Sequence, residues 1–229
     1  MKMKYAVMII FFSLIACVIH ALILQTPFND YLYTSMAKVI LFVLCPLMYF
    51  KVSKEGTFKE LLSLFLVEDK KTLKLPLILG VIVFIFIVVA FIILQPLIDP
   101  VMVDDALADV GINSRNAIFV VMYIVLLNAA VEQFFFRGFA FMALYQMKFK
   151  RVAHLYSSVL FAVYHIPVLY DALEWGMLAL ATIGLVVAGL IFNFLAIKCK
   201  SLIGPLLVHI SANLALNLMI GIYFVFPLG

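Results

Sequence analysis

The chain has 229 residues, 67% of them apolar and only 12% charged, where an average soluble domain has roughly 45–50% and about 25%. With a mean hydropathy of +1.23, it carries more apolar surface than an interior of this size can hide, which excludes a soluble domain, a disordered chain and a disulfide scaffold. The net charge of +4 falls in short basic clusters between apolar runs, so the partner is the lipid bilayer and not nucleic acid.

Crossing a bilayer takes about 20 mostly apolar residues. Seven stretches qualify: 5–24, 31–50, 76–98, 117–145, 152–170, 175–197 and 202–226. The expected fold is therefore all-α, a polytopic membrane helix bundle of about seven spans. In the first span, Leu14-Ile15-Ala16-Cys17 resembles a lipoprotein cleavage box, but apolar sequence continues to Leu24, so the span reads as a retained helix and His20 within it as a packing or interfacial residue. Lys38 lies near one end of the second span and is expected to snorkel to the headgroups. Segment 51–75 carries an apolar stripe of Phe58, Leu61, Leu62, Phe65 and Leu66, which reads as an amphipathic helix on the membrane surface. The fourth span is long enough to tilt or project, and Pro167 interrupts the fifth near its end. Cys17, Cys45 and Cys199 have no Cys-x-x-Cys spacing and no even set to pair.

Lysines and arginines set the orientation. Lys2 and Lys4, then Lys51, Lys54, Lys59, Lys70, Lys71 and Lys74, then Lys148, Lys150 and Arg151, then Lys198 and Lys200 share one side, 13 of the 16 basic residues. The other side carries Asp30, Asp99, Asp104, Asp105, Asp109, Asp171 and Glu174. The positive-inside rule then makes the N-terminus cytoplasmic and the C-terminus external.

Ionisable groups inside spans are costly, so each is a candidate for function. Glu132 and Arg137 lie in span four, His165 in span five and His209 in span seven. On an α-helix Asn128 and Glu132 share one face and Gln133 and Arg137 a neighbouring one, whereas Glu132 and Arg137 lie about 140° apart and cannot easily pair. Asn213 and Asn217 follow His209 along one face. Two histidines, an amide and a carboxylate on three helices each need a partner in lipid, which points to one shared polar site. With a rise of about 1.5 Å per residue, His165 reaches that depth only if span five tilts or extends beyond Pro167. Such a set can hydrolyse an amide with Glu132 as base on a water, or with Glu132, His165 and His209 holding a divalent metal. Ser157, Ser158 and Ser211 have no evident histidine partner, so a covalent intermediate is not supported.

Glu132-Gln133-x-x-x-Arg137, Phe161-x-x-x-His165 and His209-x-x-x-Asn213, in that order on successive spans, resemble the three motifs of the CPBP (Abi) intramembrane proteases. That family includes the CaaX prenyl proteases and bacterial relatives tied to bacteriocin maturation and self-immunity. The resemblance implies a core over 117–229, preceded by N-terminal helices and the amphipathic segment over 1–116. It implies a peptide or membrane-protein substrate, a bacterial membrane, Glu132 as general base, His165 as its partner, and His209 and Asn213 at the oxyanion. Asn213 is a poor zinc ligand and no His-Glu-x-x-His pair is present, so no cofactor is expected, with a divalent metal at Glu132, His165 and His209 as the alternative. Gln133 stands where the family has a second glutamate. The family's Glu to Arg ion pair becomes an amide contact to Arg137, whose guanidinium is left to snorkel or to meet an anionic substrate group. A non-proteolytic immunity or scaffold protein is the alternative that this departure favours; a small proton-coupled transporter, which buried Glu and His could serve, is a third reading that no inverted repeat supports. The sequence sets no oligomeric state.

Overall fold

A computed structural model describes residues 2–26, 30–54 and 56–222. The described residues are helical, with no strand, and seven helices are long and apolar enough to cross a membrane. These are α1 (Lys2–Leu24), α2 (Tyr31–Ser53), α4 (Lys74–Leu94, flanked by 3₁₀ turns Lys70–Leu73 and Gln95–Leu97), α6 (Ala117–Gln146), α7 (Lys150–Leu169), α8 (Trp175–Cys199) and α9 (Ile203–Ile220). Short α3 (Phe58–Ser63) and α5 (Pro100–Asp109) sit in the connections. The seven expected spans are all present; residues 223–226 of the last, and the C-terminus beyond, lie outside the described residues.

Starts and stops follow local chemistry. Asp30 and Asp99 accept from the Leu32 and Val101 amides, and Thr57 with Glu60 forms a reciprocal capping box on α3. Lys54 and Lys200 end their helices in the left-handed region. α7 runs through Pro167 to Leu169, so the extension that His165 required is met.

α6 is the hub, touching α1, α2, α3, α7, α8 and α9. Every residue from Gln133 to Phe141 is buried, and the phenylalanines there interlock with neighbouring helices. Phe135 stacks on Phe42 of α2 with centroids 3.9 Å apart, and Phe136 meets Phe161 of α7 edge-on at 5.3 Å. Lipid tails are as apolar as these side chains, so close packing and interhelical hydrogen bonds hold the bundle together. Ser13 and Tyr156 join α1 to α7 at 2.7 Å; Ser157 donates to the Phe136 carbonyl at 2.8 Å; Asn193 of α8 donates to Ser158 at 3.1 Å and to the His154 carbonyl at 3.2 Å. Ser157 and Ser158 are thus interhelical ties, and Ser211, bonded to the Leu207 carbonyl at 3.0 Å, fills the contact with Gly80 on α4. α4 packs mainly on α9 and leaves Val81, Phe86 and Ile93 outward.

Segment 51–75 differs from the expected surface helix. Between the end of α2 at Ser53 and the start of α4 at Lys74 only Phe58–Ser63 is α-helical among the described residues, and its stripe is divided: Leu61 is buried, while Leu62 and Leu66 are exposed. Leu61 seats against Gly138, Phe58 meets Phe134 at 5.4 Å, and the Leu64 carbonyl accepts from the Leu202 amide at 2.7 Å. Contact with the second half of α6 and with Leu202 before α9 takes the place of the lipid surface for this short stretch.

A Cβ on Gly189 would stand 2.8 Å from the Ser158 Cα, and backbone cannot yield as a flexible side chain does. Gly189→Val is expected to force α7 and α8 apart, costing about 1–3 kcal/mol and lowering the melting temperature in detergent by several °C. Gly176→Ala, where nothing lies within 4 Å, is the control and is not expected to lower it.

Candidate active site

α6 is not uniformly α-helical. It is π-wound over Tyr123–Asn128 and Gln133–Met142, with a single α turn, Ala129–Glu132, between them. π segments are rare and concentrate at functional sites. Face arithmetic based on 3.6 residues per turn therefore fails beyond Glu132. Glu132 and Arg137 still form no ion pair within 4.0 Å, as expected, but the winding rather than a fixed 140° sets their separation.

Glu132 is 2% exposed. Its Oε1 accepts from Asn128 Nδ2 at 3.0 Å, so the expected shared face of Asn128 and Glu132 is a real contact. The same oxygen lies 3.7 Å from Lys38 Nζ, and Lys38 donates to Asn128 Oδ1. Glu132 Oε2 has no hydrogen-bond partner and faces His165 Nε2 at 3.8 Å and His209 Nε2 at 3.7 Å. Spans four, five and seven do meet, joined by span two. Lys38 does not snorkel: it is 8% exposed and turned inward, because a carboxylate and an amide oxygen are closer than the headgroups.

The hydrogen bonds choose the imidazole tautomers. His165 Nδ1 is 2.7 Å from the Phe161 carbonyl, which can only accept, so Nδ1 carries the proton and the neutral ring turns a lone pair on Nε2 toward Glu132. His209 Nδ1 is 3.1 Å from Gln133 Nε2; the amide donates, and the neutral ring presents N–H at Nε2. One histidine thus offers an acceptor to the space beside Glu132 Oε2 and the other a donor. Asn213 stands apart from the carboxylate. Its Nδ2 donates to the Ile124 carbonyl in the first π segment at 3.0 Å, and Asn217 bonds to the Asn213 carbonyl at 2.8 Å.

Arg137 neither snorkels nor contacts the Gln133 amide. It is fully buried, none of its guanidinium nitrogens has a hydrogen bond among the described residues, and no amide contact to Gln133 forms. Its Cζ lies 4.1 Å from the Phe161 ring centre and 4.8 Å from that of Phe192. Two aromatic faces take the place of headgroups, an exchange worth about 2 kcal/mol or more when desolvated. Phe161 also meets the rings of His165 and His209, at 4.6 Å and 5.9 Å. His20 packs on Tyr164 at 5.4 Å and Phe42 at 6.3 Å, the structural role expected of it. Phe192 and Asn193 carry no expected role in the sequence, and Lys38 only that of a snorkelling residue. Lys38 and Asn193 carried a usable signal, a polar group within an apolar span; Phe192 carried none.

Among the described residues no group of three or more His, Cys, Asp and Glu side chains is arranged to hold a metal ion. A cavity of about 580 Å³ opens between α2 and α6, lined by Tyr31, Ser35 and Tyr123 among others, about one turn from Lys38 and Asn128.

Residues 114–215, a little under half the chain, match the family model described as type II CAAX prenyl endopeptidase Rce1-like, within the CPBP family. The match spans Glu132, Arg137, His165, His209 and Asn213. No curated protein and no solved structure matches the chain.

Gln133→Glu would set a carboxylate near the unpaired Arg137 while His209 reverses its tautomer to donate from Nδ1. A hydrogen bond to a charged group contributes about 1.5–3 kcal/mol, so the variant is expected to melt a few °C above the parent in detergent. A lower melting temperature would show that the two phenyl faces already satisfy Arg137.

Proposed function

From the Rce1-like match as premise, we propose that the chain is an intramembrane endopeptidase that hydrolyses a peptide bond of a membrane-associated or peptide substrate with a water activated by Glu132. The observation that carries this reading is the asymmetry of the carboxylate. Oε1 is tied to Asn128 and Lys38, while Oε2 is unpartnered between two imidazoles of opposite hydrogen-bonding sense.

A water beside Oε2 gives its proton to Glu132 as its oxygen adds to the scissile carbonyl, and His165 Nε2 orients that water by accepting its second hydrogen. The negative charge that forms on the carbonyl oxygen is met by the His209 Nε2–H and by the Asn213 N–H not engaged with Ile124. Collapse breaks the C–N bond, and the proton held by Glu132 passes to the departing amine. The carboxylate is restored, and the products are an acid and an amine. Gln133 acts through His209, Phe161 orders both imidazoles, and Arg137 adds positive charge behind the oxyanion.

The family's bacterial branch suggests processing of a bacteriocin or peptide pheromone, or self-immunity, in a bacterial cell membrane with the N-terminus cytoplasmic. A non-proteolytic immunity or scaffold role is the second reading, favoured by Gln133 in place of the family's glutamate.

Glu132→Gln preserves shape and removes the base, and loss of such a base costs about 10²–10⁴ in rate. Mass spectrometry of peptides from membranes holding the parent or the variant is expected to find products with the parent alone. Equal products from both would end the protease reading, and an intact immunity phenotype in the variant would support the scaffold.

Hydrolysis is expected to persist after exhaustive chelation and to require Glu132, His165 and His209. Stoichiometric zinc that leaves with activity and restores it on return would make the same three residues ligands instead.

A further inference from the structure

We propose that Lys38, supplied by α2 from outside the family-matched segment, is a positioning residue for Glu132. The proposal rests on the reading of Glu132 as the base. Lys38, Asn128 and Glu132 form a closed triangle: Lys38 donates to Asn128 Oδ1, Asn128 Nδ2 donates to Glu132 Oε1 at 3.0 Å, and Lys38 Nζ stands 3.7 Å from that oxygen. The two oxygens of a carboxylate are chemically equivalent, and rotation exchanges them. A single donor tolerates that rotation, whereas an amide and an ammonium on the same oxygen resist it. The triangle commits Oε1 and so reserves Oε2 for the space between His165 and His209.

The alternative for a lysine at this depth is to extend along the lipid face and release its charge at the headgroups. Its burial at 8% exposure shows the opposite choice. About one turn away along both helices, the Tyr123 hydroxyl reaches the Ser35 carbonyl at 3.5 Å, a second tie between α2 and α6. Among the described residues Lys38 is the only lysine that forms an ion pair, and its partner is the proposed base.

Breaking a buried ion pair from one side strands the other charge, while removing both partners is far better tolerated. Four forms of the full chain in detergent therefore test the pairing: parent, Lys38→Met, Glu132→Gln and the double variant. Each single change is expected to lower the melting temperature by roughly 5–15 °C, and Lys38→Met is expected to raise that of the Glu132→Gln background. Additive losses would overturn the pairing. Should Lys38→Met fail to fold, Lys38→Gln, which keeps a donor of similar length, takes its place in the cycle.

The positioning role is read on a peptide that the parent cleaves in membranes and Glu132→Gln does not. Lys38→Met is expected to lower kcat at least tenfold with KM within threefold, and Lys38→Arg to recover part of the loss. A raised KM with unchanged kcat would place Lys38 in substrate binding and overturn the proposal. Cleavage unaffected by Glu132→Gln would remove the base reading, yet the melting cycle would still decide whether Lys38 and Glu132 are paired.

Discussion

A carboxylate in the middle of a membrane protein stays ionised only among groups that compensate it, and the neighbours of Glu132 fix where four helices meet. Asn128 reaches it from its own helix, Lys38 from α2, His165 from α7 and His209 from α9. Each would be expensive in lipid on its own. Gathered in one place, Asn128, Lys38 and the His209 Nε2–H turn donors toward the carboxylate while His165 turns Nε2 to the same space, and the spans that carry them are drawn to a common depth. Between apolar surfaces that lipid serves equally well, this polar cluster supplies the specificity that a hydrophobic core supplies in a soluble fold.

The winding of α6 and the aromatic cage follow from that requirement. α6 must present Asn128 and Glu132 toward α2, α7 and α9, then bury Gln133 against His209 and Arg137 against Phe161 and Phe192. The i→i+5 pattern redistributes side chains that an α-helix would place elsewhere. Phe161 contributes three contacts at once, beneath Arg137 and against both imidazoles. Its position one turn before His165 also lets its carbonyl hold the His165 Nδ1 proton.

The spans and the convergence of Glu132, His165 and His209 were legible because each rests on a rule that lipid enforces: a minimum apolar length, and a partner for every buried charge. The sequence could not reveal how α6 is wound, since π geometry answers to tertiary contacts and not to local propensity. Arg137 and Lys38 were misread for a related reason. Snorkelling assumes lipid around the stem of the side chain, but Arg137 finds two phenyl rings and Lys38 an amide and a carboxylate. Neither Phe192 nor Leu61 differs in sequence from its apolar neighbours, so their roles emerge only from packing.

Gln133 alters the balance of charge in the core. With a glutamate there, as the resemblance implies for the family, Arg137 and Lys38 would each face a carboxylate. With an amide, the buried lysine, arginine and Glu132 leave one positive charge in excess when both imidazoles are neutral. That excess is the Arg137 guanidinium, which shares Phe161 and Phe192 with His209. An aromatic face disperses a cation without neutralising it. In the mechanism proposed above, the total stays at one positive charge, because Glu132 takes up a proton as the oxyanion forms; the negative charge moves from Glu132, beside Lys38, to His209 Nε2, on the side of the Arg137 guanidinium that the substitution left without a carboxylate.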